Sequence, residues 1–535
     1  MLPEEKSWYL CAASILLLPS YLIVITIYRL YFHPLARFPG PRLRAISALP
    51  SIYSLLRGRL GFETKQLHDI YGPVVRVSPN ELAFNSAQAW EDIYGFKNNG
   101  RKNMHKDPIH VGSVDPLPGA STLTMADDTN HARQRRALAH SFSERALKEQ
   151  EYIIQHYVDV LITKLSQLAD KNTEFNLVNW LNFTTFDIIG DLAFGEPFGC
   201  LDLGAFQSWV ALIYQTVKVG ALEQATRRFA DAGSWTQSLL LHLIPDYLRQ
   251  RRREHLRLSK EKVEERLRNG AGEHKDFIYY ILKQREKYNL HENEIILNSA
   301  LFIVAGSETT ANSLSGLFAR LLTDKENMEK LQREIRDAFD SEEEITYSNA
   351  GPAELPFMNA CLEEGLRIHP PVPVGLLRSV PAAGDMIDGH WIPGGTSVSV
   401  GGWAASHNPA NFTECDTFIP GRWLADNNNQ GGSFSADIKT GMQPFSLGPR
   451  GCIGKNLSYM EMRVILARLL WNFNIVSTDG AWQWDPRGEM KHMKAFTTWQ
   501  KPDLNVKVAN VRNKGKRRVV RGGYWARSQA ERAGF

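Results

Sequence analysis

The chain holds 535 residues, of which 43% are hydrophobic and 22% charged; these are globular proportions. They exclude a disordered chain, a collagen-like repeat and a disulfide scaffold as its dominant character. The formal net charge of +4 is uneven, because residues 510–535 carry eight Lys/Arg against one acid and leave the remainder slightly acidic, which argues against a nucleic-acid binder.

In chain order, Trp8 to Tyr28 is a run of 21 residues without a charge. As a helix it would span roughly 31 Å, enough to cross a bilayer core. Trp8, Tyr9, Tyr28 and Tyr31 flank it as interfacial aromatics, and Pro19 lies within it. A cleaved signal peptide is the competing reading, but the run is long for one and no small-residue cleavage site follows. Glu4, Glu5 and Lys6 precede the run, while Arg29, Arg37, Arg42 and Arg44 follow it. That asymmetry predicts a single anchor, residues 1–29, with a cytosolic body. Pro34, Pro39 and Pro41 then predict a stiff, extended linker over 30–42.

The body, 43–512, opens with short strand-like runs and turns up to about residue 120, including Pro73–Asn85. From about 125 to 340 the three- and four-residue apolar spacing predicts helices. One very long helix is expected over His291–Thr323 and a charged one over Lys325–Phe339, with a break at Asn269–His274. Ser259–Arg268 reads as a solvated helix face. Beyond Pro370 come short strands, Pro/Gly-rich loops and a last helix near Lys455–Phe473. The fold class is therefore mainly α, an α+β body with a small β region. Lys514–Phe535 is basic and lacks apolar pattern, so 513–535 is expected to be a disordered tail, with membrane-surface binding as the sharper alternative.

Of the five cysteines, Cys11, Cys200, Cys361, Cys415 and Cys452, none forms a CxxC, so neither a structural zinc site nor a disulfide framework is supported. Cys452 stands apart. It lies in FSLGPRGCIG, Phe445–Gly454, a loop with three glycines and an arginine that feeds a helix. A helix amino terminus and nearby amides stabilise a thiolate, and Gly448, Gly451 and Gly454 let backbone approach a flat ligand. The plain alternative is a packed cysteine before a helix.

This segment resembles the FxxGxRxCxG haem-thiolate signature of the cytochrome P-450 superfamily at every fixed position. The resemblance implies a cytochrome P-450 fold with a long central helix over haem b. It implies that Cys452 is the axial iron ligand, that Phe445 packs beside the sulfur, that Gly448 belongs to the haem loop and that Arg450 binds a propionate. AGSETT, Ala305–Thr310, is similar to the family's oxygen-activating segment, so Glu308 and Thr309 would deliver protons; Gly306 would thin the helix face for a ligand. EGLR, Glu364–Arg367, and FIPGRW, Phe418–Trp423, resemble a structural triad of Glu364, Arg367 and Arg422. HARQR, His131–Arg135, lines up with the family's propionate-contacting WxxxR helix, with His131 in place of Trp and Arg135 as its arginine. Arg378 resembles a further propionate arginine.

The resemblance covers roughly residues 30–510 and points to microsomal, filamentous-fungal members. It implies a monooxygenase that inserts one atom of O2 into a lipophilic small molecule, as a tailoring step in secondary metabolism. The chain has no GxGxxG in a βαβ unit, so electrons would come from a separate NADPH-dependent reductase, with cytochrome b5 as a second donor. The implied location is the endoplasmic reticulum membrane. Two alternatives stay open: a redox-independent thiolate-haem isomerase or dehydratase, and a non-catalytic haem-binding membrane protein. The pocket is expected around Met104–Met125, Leu301–Ala305, Val372–Leu377 and Met493–Thr497.

Overall fold

The computed structural model describes Leu17 and residues 19–98, 100–112, 114, 116–270, 272–425, 432–484 and 492–511. Most of the expected anchor and the basic tail from residue 512 lie outside the described residues. Residues 19–27 are helical and run into a π-helical turn, Tyr28–Phe32, with Tyr21, Ile23 and Val24 exposed. Among the described residues no helix is long and apolar enough to cross a membrane.

The Pro-rich linker is folded onto the body rather than extended. Residues 34–37 form a turn, and Leu35 and Phe38 are buried. The Arg76 N–H donates to Pro39 O at 2.8 Å, and its guanidinium donates to Arg29 O at 2.8 Å. These bonds satisfy carbonyls that prolines cannot engage in a helix.

The stretch after the linker is more helical than its sequence predicts. Three helices, α1 (Arg42–Ile46), α2 (Leu49–Leu56) and α3 (Leu60–Tyr71), precede one hairpin, β1 (Val74–Ser78) and β2 (Glu81–Phe84). Helices this short are marginal alone. Tertiary contact holds them: Arg44 of α1 donates to Glu63 of α3 at 2.7 Å and to Ser51 and Ser54 of α2.

After α4 (Ala87–Tyr94) and β3 (His105–Lys106), a run of helices forms the core. It comprises α5 (Asp128–Leu138), α6 (Glu144–Asp170), α7 (Leu177–Phe194, entered from β4, Phe175–Asn176), α8 (Cys200–Leu203), α9 (Ser208–Arg227), α10 (Trp235–Leu241), α11 (Asp246–Arg268) and α12 (Phe277–Arg285). Side-chain caps start several of them: Asp127, Ser143 and Asp276 accept from Asn130, Ala146 and Tyr279 N–H groups. Ser259–Arg268 ends α11, but Ser259, Val263 and Arg266 are buried, so only part of that face is solvated.

The long helix, α13, runs from Glu292 to Leu321, and α14 follows from Lys325 to Ala338. The Glu294 carboxylate accepts from the His291 N–H at 3.0 Å and fixes the start of α13. α13 packs along α7, and both are buried on nearly every side. Gly306 permits this approach, since a Cβ there would lie 2.8 Å from Ile189 Cδ1. Its small size serves helix packing against α7, while Gly306 itself stays half-buried beside exposed Ala305. The chain closes with α15 (Pro356–Ile368), short strands, α16 (Gly402–Ser406), α17 (Lys455–Asn472) and a terminal β region.

The main sheet has the order β1-β2-β8-β5-β3, with β5 Arg378–Ser379 and β8 Ser397–Val400. Only the β2–β8 pair is parallel, and it sets Glu81 opposite Ser397. At the far edge β3 sets Lys106 opposite Arg378. The family-like fold class is thus mainly helical with small sheets.

Candidate active site

The Cys452 loop is shaped by backbone contacts. The Cys452 N–H donates to Phe445 O at 2.8 Å, and Gly451 N–H donates to Gly448 O at 3.0 Å. Gly448 sits at φ +65°, and a Cβ there would fall 2.0 Å from Tyr94 O, so only glycine fits. A Cβ on Gly454 would lie 3.9 Å from the sulfur. Phe445 lies against Tyr459, with ring centroids 5.3 Å apart and planes tilted by 41°.

Among the described residues the four cysteines are unpaired; Cys200, Cys361 and Cys415 are buried, and Cys452 alone is exposed. Cys452 is accessible yet lies deep among surrounding protein atoms, and the desolvation they impose pushes its thiol up, while the Gly454 amide, Arg135 and Lys455 pull it down. Arg135 reaches the loop directly, donating to Gly451 O at 2.6 Å. Phe142 joins this loop to the long helix: it lies 4.0 Å from the Gly454 Cβ position and meets Phe302 edge-on at 5.2 Å.

The middle of α13 opens where its neighbours close. Ala305 is exposed and Thr309 half-buried, between buried stretches on both sides. The Thr309 hydroxyl donates to Ala305 O at 2.7 Å, the back-bond that loosens a helix ladder. Glu308 points elsewhere. It is buried and ion-paired with Lys501 at 3.0 Å, and it accepts from Asn312 at 3.1 Å. Its Oε2 has no partner among the described residues. Lys501 also donates to Asn182 of α7 at 3.0 Å. Burial lowers the Lys501 pKa and Glu308 raises it again.

A basic cluster gathers around a cavity of about 420 Å³. His131, Arg378 and Arg450 line it together with Tyr94, Met104 and Asp128. Arg450 donates to Ala126 O at 2.7 Å and to Asp128 at 2.9 Å, leaving Nη1 buried without a partner. Arg378 is buried with Nε and Nη1 unpartnered, and burial brings its pKa down to about 10. Burial, then Arg378 and Arg450, push Lys106 well down. Burial, with Arg450, Arg135 and Lys106, holds His131 neutral at about 4. Like charges opposite each other on paired strands repel, so Lys106 and Arg378 in register form a site that wants an anion.

The structure also brings Glu364, Arg367 and Arg422 together, all with fully buried side chains. Arg367 forks onto Glu364 at 2.8 Å twice and donates to the carbonyls of Ser406, Cys415 and Thr417. Arg422 reaches Glu364 at 3.2 Å and Asp437 at 2.5 Å, and Trp423 Nε1 donates to Glu364 at 2.9 Å. Gly421 lies in the turn that presents Arg422.

A second, largely apolar cavity gathers residues 373–377, His110, Val111, Phe496 and Thr497. Three of the four segments expected to form the pocket therefore meet there. Leu301–Ala305 is not among its walls.

Comparison with known proteins settles what this constellation belongs to. The family model described as Cytochrome P450 matches residues 39–499. The chain is a member of the cytochrome P450 family. It is 45% identical to the cytochrome P450 monooxygenase aba2 of Botryotinia fuckeliana, over 92% of this chain and 93% of that protein. It is 43% identical to the monooxygenase ABA2 of Pyricularia oryzae, over 91% and 94%, and 40% identical to astJ of Aspergillus oryzae, over 90% and 93%. This P450 is thus an oxidoreductase of the monooxygenase class, and its family implies thiolate-held haem and use of O2.

The residues present fit that group. An exposed cysteine on a glycine loop offers the sulfur, and the unpartnered guanidinium atoms of Arg378 and Arg450 around the cavity offer cations to propionates. Sequence reasoning missed Lys501, Lys106 and Asp437. Lys106 carried no signal, since Arg101, Lys102, His105 and Asp107 surround it with other charged and polar residues. Lys501 carried none, being 193 positions from its partner.

Proposed function

We propose that this P450 inserts one oxygen atom into a lipophilic small molecule, as a hydroxylation or epoxidation, in a tailoring step of fungal secondary metabolism. The observation that carries it is the exposed Cys452 on its glycine loop, which Phe142 joins to Phe302 of α13, three residues before that helix opens at Ala305. The fungal monooxygenases it is similar to support the tailoring role, and the largely apolar second cavity supports a lipophilic substrate.

Haem b, when bound, supplies the one-electron and O2 chemistry. Cys452 would supply the sulfur ligand as a thiolate, and Arg135, Lys455 and the Gly454 amide would stabilise its negative charge. Arg378, Arg450 and neutral His131 hold the propionates. Arg135 acts one step back, fixing the Gly451 carbonyl and so the loop that aims the sulfur. Thr309 carries a hydroxyl proton at the open turn of α13, and Lys501 and Asn312 hold the adjacent Glu308 carboxylate. Glu364, Arg367 and Arg422 lock the loops that precede Cys452.

Electrons come from a separate NADPH-dependent reductase, with cytochrome b5 as a second donor. The body sits on the endoplasmic reticulum membrane through the amino-terminal anchor. Exposed apolar side chains support this: Leu43, Leu49 and Tyr53 lie around α1 and α2, and Trp235, Leu239 and Leu243 around α10, while α2 packs against α9.

The test is turnover of full-length protein with reductase, NADPH and isotopically labelled O2. One labelled oxygen atom in the product is expected. Product formed without NADPH and O2 would instead identify a redox-neutral isomerase. Thr309→Val is expected to retain substrate binding while most electrons end in hydrogen peroxide, measured as the ratio of NADPH consumed to product. An unchanged ratio would remove Thr309 from proton delivery.

A further inference from the structure

One charged pair in the substrate-side cavity is buried and left open. Arg228 caps the end of α9, with its N–H donating to Gln224 O at 3.2 Å and Ala225 O at 3.3 Å. Its side chain is 3% exposed and lines the apolar cavity. Glu81, 9% exposed, faces it from β2, but the closest approaches are 3.4 Å, Nε to Oε2 and Nη2 to Oε1. Charge-assisted hydrogen bonds of this type run at about 2.7–2.9 Å. Arg228 Nε and Nη1 and Glu81 Oε2 have no hydrogen-bond partner among the described residues.

The two sides cannot simply close on each other. Strand pairing to β1 and β8 fixes Glu81, opposite Ser78 and Ser397. The end of α9 fixes Arg228, and neighbouring arginines clamp the loop beside it. Arg227 donates to the carbonyls of Pro108 and His110, and Arg252 donates to Gly112 O at 2.9 Å.

The charges in this corner are unevenly paired. Arg44 pairs with Glu63 at 2.7 Å and Arg252 with Glu223 at 2.9 Å, while Glu81 stands loosely by Arg228. Arg227 has no carboxylate at ion-pair distance among the described residues. With buried Asp107, which accepts from Ser397 at 2.6 Å, four carboxylates stand by four guanidinium groups, so what is unbalanced is the pairing and not the total. A buried arginine with spare donors is costly unless something arrives to use them.

We propose that Arg228 is a specificity-determining residue that seats a carboxylate at one end of an otherwise lipophilic substrate. The planar guanidinium fork matches a carboxylate, and its Nη1, buried and unpartnered among the described residues, is the donor one would use once the cavity opens. The apolar walls, Leu55, Leu60, Val77, Val111 and Pro373, enclose about 60 Å³, room for the acid end alone, and must part to admit the hydrocarbon body. Seating the acid here turns the far end of the molecule toward oxidation. The substrate class is thus a lipophilic carboxylic acid, which rests on the small-molecule monooxygenase reading above and narrows it.

The experiment is calorimetric binding to purified, haem-loaded full-length protein. The probes are lauric, palmitic and abietic acids, their methyl esters and the matching alcohols. At least one acid is expected to bind about tenfold or more tightly than its ester, in keeping with a charged, bidentate contact. Arg228→Leu is expected to erase that preference and leave ester affinity unchanged. Arg228→Lys restores part of it, and Glu81→Gln strengthens acid binding by removing the competing carboxylate. A normal reduced, CO-bound spectrum in each variant shows that the fold and haem site survive. Esters or alcohols preferred over acids, no acid bound, or an acid preference untouched by Arg228→Leu would each overturn the proposal. Binding does not need electrons or O2, so failure of the monooxygenase reading would appear separately, in the turnover assay.

Discussion

Two buried clusters of charge in this molecule are built to opposite rules. Around Glu364 each charge is met: both of its oxygens accept, Arg367 spreads over three carbonyls and one carboxylate, and Arg422 spans Glu364 and Asp437. Around Arg378 the opposite holds, with cations Lys106, Arg378 and Arg450 pressed together and guanidinium atoms left without partners. Burial disfavours charge in both clusters, but only the first offsets it with internal partners. A satisfied cluster serves the fold, and an unsatisfied one waits for a ligand. Arg228 belongs to the second kind.

The largest expected effect tests the closed cluster. Glu364→Ala strands Arg367 and Arg422 without their shared carboxylate, and should cost about 3–5 kcal/mol in denaturant unfolding. A loss below that range would mean the network is less buried in solution than its geometry implies. Next comes a closed histidine. His255 is fully buried; Trp209 Nε1 donates to its Nδ1 at 3.0 Å, so Nε2 carries the proton and donates to Ala300 O at 3.1 Å. Burial lowers its pKa from 6.5 to about 4. The unfolded chain therefore takes up a proton first as pH falls. The stability from this residue is complete above pH 6.5 and declines toward pH 4, by about 3 kcal/mol. Unfolding curves of His255→Gln should show a correspondingly shallower acid slope than the parent.

The smallest effect sharpens the contrast from the open side. Arg378→Leu removes an unsatisfied cation and should leave the haem-free protein as stable as before, or slightly more so. Haem retention should weaken by about tenfold, read as the transfer rate to apomyoglobin. A variant that unfolds like Glu364→Ala while keeping haem would erase the distinction between the two clusters.

The sequence made the local parts legible and left the distant ones hidden. The Cys452 loop, the long helix and the i,i+3 pair Glu364–Arg367 depend on neighbours in the chain, and their spacing announces them. The triad's third member, Arg422, needed the family resemblance. The helices α1 to α3 were read as strands and turns because their caps are weak and tertiary contacts such as Arg44–Glu63 hold them. Gly306 looked like room for a ligand, while its packing against Ile189 of another helix stayed hidden. Lys501 and Arg228 gain meaning only from what the fold sets against them, Glu308 in one case and a loosely paired Glu81 in the other.

The account stands on the sulfur of Cys452 as the axial donor. The direct measurement is the reduced, CO-bound absorption spectrum of the full-length protein beside that of Cys452→Ala. The parent should show the red-shifted Soret band of thiolate ligation, and the variant should lose it while its far-UV circular dichroism stays unchanged. A thiolate-type band that persists in Cys452→Ala, or a parent protein that binds haem without ever showing that band, would contradict the account.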